Sequence, residues 1–238
     1  MGKKAVSIIV LMLLLLTINV AFNTKPVKAG IITVPDDYPT IQEAINMASP
    51  GDTIFVRAGI YYENVIVNKT ASLVGEDKES TIINAGRGVG VKVVANGSRI
   101  SGFTVYNYTG YQTLGGAIVV RGFDNVICNN IVVDSRQGIV LWSGGNNTLE
   151  GNMIVGNLPT SIGLVIGRSS NNNFRNNALV NNSYCNLMLS EVASFPWYVQ
   201  DIDISNTVNG KPIVYLFEKQ NMTISPDTSQ GNRNALFD

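Results

Sequence analysis

The sequence contains no histidine, so a metal site built on imidazole ligands is excluded. Cysteine is almost as scarce, since Cys128 and Cys185 are the only two. Their spacing does not imply a disulfide, and two partly buried free thiols are the favoured interpretation, although an exported protein can form such a bond. Charged residues make up only 14% of the chain and apolar residues 45%. This composition supports a substantial core and leaves no charge-rich, disordered segment after the N-terminus.

The N-terminus has the features of an export signal. Lys3 and Lys4 precede an apolar run over residues 5–22, and small residues flank Lys28 at the expected cleavage positions. Because the run is short for a membrane span, we expect residues 1–29 to be a signal peptide, with an uncleaved N-terminal anchor as the alternative. Removing these residues takes away four lysines and leaves 13 basic and 17 acidic side chains. A negatively charged mature chain argues against nucleic-acid binding.

Three stretches of 20 residues align without a gap: Gly116–Ser135, Gly138–Asn157 and Gly163–Asn182. Each begins with glycine, and apolar residues recur at the same positions, which indicates one β-coil per repeat. A single coil cannot bury its apolar face alone, so the coils must stack. The alignment predicts three core columns: Ala117, Ile139 and Leu164; Val119, Leu141 and Ile166; and Ile127, Leu149 and Phe174.

Polar columns separate the apolar ones. Asparagine tolerates the left-handed backbone of a sharp corner, and its amide can bond to the next coil. We therefore expect a structural ladder at Asn130, Asn152 and Asn177. Glu150 and Arg175 share another column, which predicts that they are neighbours on adjacent coils. Two further polar columns consist of Asp124, Asn146 and Asn171, and of Asn125, Asn147 and Asn172.

A short amphipathic helix precedes the coils. Thr40 and Glu43 have the spacing of a capping box, and apolar residues follow with helical spacing through Ala48. The helix should start near Thr40, end before Pro50 and cover an open end of the solenoid, whose core and strand edges would otherwise be exposed. Short alternating strands are predicted after it at residues 53–56, 64–67, 72–74 and 81–83.

The segment around Tyr38-Pro39-Thr40-Ile41-Gln42-Glu43-Ala44-Ile45 resembles the N-terminal cap of right-handed parallel β-helix proteins. The coils with their asparagine columns resemble the NosD-type repeat, also called the carbohydrate-binding and sugar-hydrolysis repeat. Residues 201–215 resemble a linker of exported archaeal members of that group. The resemblance implies an all-β fold, namely a right-handed parallel β-helix (solenoid) with a short N-terminal amphipathic capping helix. The β-helix and its cap should occupy residues 30–190, followed by a linker and incomplete C-terminal coil region over residues 191–238.

The resemblance leaves several activities open. NosD-type proteins are associated with copper insertion into a periplasmic reductase, other proteins of this fold bind or cleave polysaccharides, and pectin methylesterases share a similar cap. This chain has no histidine, and its cysteines and methionines form no cluster with soft-ligand spacing, so no copper site or other cofactor is expected. Carbohydrate cleavage needs carboxylates that converge from matching columns, and none stack here. Asp201 and Asp203 share one side of a strand-like segment, where solvent-exposed carboxylates are the favoured interpretation.

An outward-facing apolar stripe is the candidate binding surface. Because Leu141 belongs to a core column, Trp142 should point outward. Such a stripe is either covered by the chain itself, for which residues 108–114 and 194–198 are the expected cover, or serves as a ligand platform. In the second case a sugar ring would stack on Trp142, with Arg121 and Arg168 at the same edge. The alignment predicts that the stripe consists of Ile118, Val140 and Val165, followed by Val120, Trp142 and Gly167.

Together these features favour a secreted or cell-surface protein that binds or scaffolds extracellular partners, with a polysaccharide or cell-surface glycan as the expected ligand. The candidate ligand-binding residues are Trp142, Arg121 and Arg168, and no residue is assigned a catalytic role. A carbohydrate-active enzyme, either a polysaccharide lyase or a hydrolase, is the first alternative. A NosD-like accessory protein for copper maturation is the second.

Overall fold

The computed structural model describes residues 29–110, 115–156, 158–190 and 199–217. Strands follow one another in groups of three along the chain, and successive groups pair in parallel. Over the described residues the strands form three long sheets, which are the three sides of a right-handed parallel β-helix of about 7 turns. The fold predicted from the repeats is therefore confirmed.

The strands divide among the sheets as follows. Sheet 1 consists of β1 (Ile31–Val34), β2 (Thr53–Val56), β5 (Ser72–Gly75), β8 (Arg99–Ser101), β11 (Val126–Cys128), β14 (Thr148–Glu150), β17 (Asn172–Arg175) and β20 (Gln200–Ile202). Sheet 2 consists of β3 (Gly59–Tyr61), β6 (Thr81–Asn84), β9 (Thr104–Tyr106), β12 (Ile131–Val133), β15 (Met153–Val155), β18 (Ala178–Val180), β21 (Thr207–Val208) and the antiparallel β22 (Lys211–Pro212). Sheet 3 consists of β4 (Val65–Val67), β7 (Val91–Val93), β10 (Ile118–Val120), β13 (Gln137–Gly145), β16 (Ile162–Ser170) and β19 (Cys185–Ser190).

The core runs along the inside of the coils. Many strands have only three residues, so in sheets 1 and 2 the middle residue points inward, as at Ile127 in β11 and Val132 in β12. Its neighbours on the same sheet are also fully buried, as the column of Ile127, Leu149 and Phe174 shows. Each such side chain contributes about 1.5–3 kcal/mol of transfer free energy, so the stack is stabilised along its whole length.

In the central coils, from β8 to β18, two neighbouring residues with different conformations form the turn between sheets 1 and 2. The first adopts a left-handed backbone, as at Asn129 with φ 52° and Asn176 with φ 54°. The second turns inward and is buried, as at Asn130 and Asn177. Because asparagine tolerates positive φ and its amide can both donate and accept, the Asn-Asn doublet meets both requirements.

The buried members form a continuous hydrogen-bond ladder. Asn152 donates from Nδ2 to Oδ1 of Asn177 at 3.0 Å and to the carbonyl of Ile127 at 2.7 Å, and it accepts from the backbone N–H of Asn130 at 3.1 Å. Asn177 extends the ladder to Asn206, which the repeat alignment does not include. A second ladder at the turn between sheets 3 and 1 runs through Asn125, Asn147 and Asn172.

The gapless repeat alignment is wrong by one residue in part of the first coil. Ile118, not Ala117, pairs with Ile139, and Val120 pairs with Leu141. This shift arises just beyond the end of β10. The second and third coils each contain one extra residue there, Ser143 and Arg168 respectively, which the first coil lacks. The predicted core and outward positions are therefore exchanged in β10. The inward residues are Ile118 and Val120, and Val119 points outward beside Val140 and Val165.

The predicted capping helix is α1 (Ile41–Met47), and its apolar face is completely buried. Thr40 is the N-cap and accepts from the backbone N–H of Glu43 at 3.2 Å. The Glu63 carboxylate, which precedes β4, accepts from the first two helical N–H groups at 3.0 Å each. At the other end, the Lys69 ammonium donates to the carbonyls of Asn46 and Ala48 at 2.9 and 2.8 Å. Both helix ends are therefore tied to the coil beneath.

No helix within the described residues is long and apolar enough to cross a membrane. The predicted signal peptide or anchor falls on residues 1–29, of which residues 1–28 lie outside the described part of the chain.

Residues near the C-terminal end continue the stack. Asp201 in β20 pairs with Asn173 of β17, and β21 pairs in parallel with β18. Glu150 and Arg175 are paired neighbours on β14 and β17, as predicted. The Arg175 guanidinium, however, forms its ion pairs with Asp201 and with Asp203, the latter at 3.3 Å. This guanidinium therefore joins the last described coil to the one before it.

Candidate functional site at the outer face of sheet 3

A second, smaller apolar cluster lies on the outer face of sheet 3. Val119, Val140 and Val165 form one row across β10, β13 and β16, and Trp142 lies two residues along from Val140. Val89 and Ile162 pack against this cluster. The Trp142 side chain is only 7% exposed, so most of the ring is covered. Of the predicted cover, Tyr108 belongs to the interior core instead, and residues 111–114 and 194–198 lie outside the described residues.

The Trp142 ring lies on the backbone of the next coil. Gly167 is its partner on β16, and a Cβ atom at residue 167 would overlap the six-membered part of the indole. The next residue, Arg168, has a left-handed backbone with φ 47° and an exposed side chain. Its Cζ atom lies 5.9 Å from the centre of the Trp142 ring, within the range of a cation–π contact. The extra residue in this coil thus places a guanidinium over the aromatic ring, as bulges often redirect a side chain.

Arg121 lies on the other side of Trp142. It follows Val120, which pairs with Leu141, so the corrected register places Arg121 beside Trp142 on the neighbouring strand. Its Nε atom is buried and has no hydrogen-bond partner, a property that only two other buried side-chain atoms share among the described residues. Buried donors are almost always paired, so this unpaired N–H is an exception among the described residues.

Phe123 is the residue at this edge that the repeat alignment does not single out. It is 47% exposed and pairs with Gly145, over which its ring packs. The next two coils have small residues, Gly145 and Ser170, at this position. Their small size leaves room for a bulky side chain from the first coil. An aromatic residue facing glycine in the next repeat is the sequence signal that could have identified it.

The three predicted ligand-binding residues therefore lie on the outer face of sheet 3, along its border with sheet 1. This border is the edge of sheet 3 that carries Arg121, Phe123, Trp142 and Arg168. Trp142 contacts Arg168 and is flanked by Arg121, with Phe123 exposed two residues beyond Arg121. The arrangement offers guanidinium donors and an aromatic face at the surface, whereas Trp142 itself is largely enclosed. Such an edge can bind polar ligands by charge-assisted hydrogen bonds and by stacking.

The two carboxylates that share one side of a strand-like segment in the sequence lie away from this site. Asp201 and Asp203 lie on the outer side of sheet 1, where both pair with Arg175. A hydrogen bond from the Ser205 hydroxyl, opposed in part by burial and assisted by Arg175, lowers the pKa of Asp203. A carboxyl group held ionised in this way is suited to an ion pair and not to donating a proton.

Comparison with known proteins supports the fold. Residues 104–214 match the family model "Periplasmic copper-binding protein (NosD)", so the resemblance to NosD-type β-helix proteins is confirmed over these residues. Two pectin methylesterase structures are similar: a mutant in complex with a hexasaccharide, and the enzyme from carrot. For the first the TM-score is 0.54 at 15% identity, covering 78% of this chain and 66% of that chain. For the second the TM-score is 0.50 at 16% identity, covering 78% and 65%.

At these identities the structural likeness shows the fold alone. This chain spans about two thirds of the length of the two pectin methylesterases, 66% and 65%. No curated protein sequence matches the chain.

The residues present do not fit the copper site that the family description implies. The sequence has no histidine, and no group of three potential ligands among histidine, cysteine, aspartate and glutamate occurs within the described ranges. Cys128 is in sheet 1 and Cys185 in sheet 3, and both are free thiols. Burial raises the pKa of both thiols, which disfavours the thiolate that binds copper.

Proposed function

We propose that this chain is an exported β-helix protein that binds extracellular glycans at the edge of sheet 3. One observation carries the proposal: Arg121, with a buried and unpaired Nε, lies between the exposed ring of Phe123 and the Trp142–Arg168 pair. Saccharides are bound by such combinations because ring faces pack on aromatic side chains while hydroxyl and carboxyl oxygens accept from guanidinium groups.

The residues have different roles in this site. Phe123 supplies the stacking surface, because its ring is half exposed whereas Trp142 is almost fully covered. Arg121 supplies donors to the ligand. Trp142 is a positioning residue that orients the Arg168 guanidinium over its ring. This assignment moves the stacking role from Trp142, where the sequence places it, to Phe123.

The relatives agree with this proposal in general terms. The matched family is described as periplasmic, which is consistent with an export signal over residues 1–29. A pectin methylesterase of the same fold has been crystallised with a hexasaccharide, so the scaffold is compatible with saccharide binding in that protein. The enzyme alternative has no comparable support, since Asp201 and Asp203 are both occupied by Arg175.

A glycan array probed with residues 30–238 tests the proposal, together with assays for reducing sugars and unsaturated products on each glycan that is retained. We expect retention without product release. Phe123→Ala should abolish retention without lowering the melting temperature, because the ring is exposed. Tyr62→Ala is the matched control, since Tyr62 is 76% exposed and precedes β4 at the far end of the stack. Retention by the Phe123 variant, or turnover of a glycan, contradicts the proposal.

A further inference from the structure

The strands of sheet 3 carry charge of one sign only. Its six strands contain the basic residues Lys92 and Arg168 and no aspartate or glutamate, and Arg121 directly follows β10. Sheet 1, in contrast, carries both signs, for example Arg175 beside Glu150 in the strands β14 and β17. The strands of sheet 2 also lack acidic residues, but they contain a single basic residue, Lys211, so cations without neighbouring carboxylates are grouped on sheet 3.

The cations lie on an oblique line across the strands of sheet 3. Lys92 pairs with Val119, so it faces outward on β7, one strand before Arg121 and two residues earlier in the register. Arg121 is followed by Trp142 on β13 and by Arg168 on β16. Four successive strands therefore present Lys92, Arg121, the Trp142 ring and Arg168. Three strand separations combined with three residues along the strands make this line roughly 17 Å long.

The two cations at the start of the line are available to a ligand. In the part of the chain that the structure describes, neither Lys92 nor Arg121 forms an ion pair with a carboxylate. The Arg121 Nε atom is buried without an acceptor, which is costly for a charged donor. An anionic oxygen supplied by the ligand would pair with the guanidinium group through a short, charge-assisted hydrogen bond.

We infer that the ligand of sheet 3 is a linear anionic glycan whose carboxylate or sulfate groups lie along the line from Lys92 to Arg168. The inference rests on the proposed function, and it specifies the chemical class that the site selects. Cations spaced over several coils match negative charges repeated along a polymer better than a single anion. Binding should therefore weaken as ionic strength rises, because salt screens contacts between exposed charges.

The experiment compares glycans that differ only in charge. Polygalacturonate and glucuronan oligosaccharides are each titrated against residues 30–238 beside their carboxyl-reduced counterparts, and dextran sulfate is compared with dextran. The carboxylate and sulfate arms identify which anion is preferred. We expect the anionic member of at least one pair to bind at least about tenfold more tightly, and Lys92→Gln and Arg121→Gln each to weaken that binding by about tenfold.

Arg99→Gln is the matched control, because Arg99 is an exposed arginine on β8 of sheet 1. Equal binding of charged and neutral glycans, with both variants unaffected, overturns the inference and leaves glycan binding intact. Absence of binding to any array glycan rejects the proposed function and the inference together. A loss of affinity in Arg99→Gln as large as in Arg121→Gln also overturns the inference, since it means that charge anywhere on the surface suffices.

Discussion

Gly167 supports the Trp142 indole: the ring lies against the backbone of the glycine on the next coil, where no Cβ atom fits. Trp142 is thereby held flat, and Arg168 is held over it. We expect Gly167→Ala to lower the free energy of unfolding by about 1–3 kcal/mol, because overpacking forces the ring to move. Urea denaturation measures this effect.

Two further variants make the Gly167 test specific. At Gly59 an added Cβ would lie 3.5 Å from the Tyr61 ring, an ordinary contact, so Gly59→Ala should cost little. In a Trp142→Ala background the cost of Gly167→Ala should largely disappear, since the clashing ring is absent. A cost that is unchanged in the double variant would mean that the glycine is needed for another reason.

The asparagine ladder makes a second prediction. Asn152→Leu removes the acceptor of the Asn130 N–H and leaves the Ile127 carbonyl without its donor. We therefore expect the free energy of unfolding to fall by about 1–3 kcal/mol. Asn68→Leu is the control, because Asn68 is exposed and has no ladder bond. Thermal unfolding of the two variants distinguishes them. Equal shifts would show that the ladder does not contribute to stability.

The link between Glu63 and α1 makes a third prediction. Glu63→Ala leaves the N–H groups of Ile41 and Gln42 without their carboxylate acceptor, and loss of such a cap costs about 0.5–2 kcal/mol. Glu43→Ala changes an exposed carboxylate on the same helix and should cost less. Chemical unfolding measures both. The account of the cap fails if the Glu43 variant is the less stable of the two.

The dependence of folding stability on acidic pH gives a fourth prediction. The pKa of Asp203 is lowered in the folded chain. The ionised carboxylate therefore stabilises the fold above the unfolded pKa, and this stabilisation is lost as the pH falls through the folded pKa. Between about pH 7 and about pH 2.5, Asp203→Asn should lose less stability on acidification than the wild type. Asp124→Asn is the control, since asparagine occupies this position in the next two coils. Identical pH profiles for wild type and Asp203→Asn contradict the prediction.

Much of the fold follows from short-range physics that a single sequence displays. The Asn129-Asn130 and Asn176-Asn177 doublets mark the corners, because one residue of each takes a left-handed backbone and the other enters the ladder. The one-residue error in β10 arose because a gapless alignment cannot represent the extra residue at Ser143, so the positions before it are shifted by one. The periodicity within one strand does not reveal an extra residue in the strand that pairs with it.

The candidate site was harder to predict for a related reason. The side-by-side placement of Arg121 and Trp142 depends on the corrected register. The exposure of Phe123 depends on the small residue opposite it, Gly145, on a different coil. The contact of Arg168 with Trp142 depends on a bulge that redirects the arginine. Each is a relationship between coils, which residue types within one coil do not show.

Hydrogen exchange with and without bound glycan is the most direct measurement of the central claim, that glycans bind at the edge of sheet 3. The glycan with the strongest array signal is used at saturation. We predict that the glycan slows amide exchange at residues 121–125 and 168–171, the corners that carry Arg121, Phe123 and Arg168, and leaves sheet 2 unchanged. Slower exchange confined to sheet 2, or no change at these corners while the glycan is bound, would contradict the account.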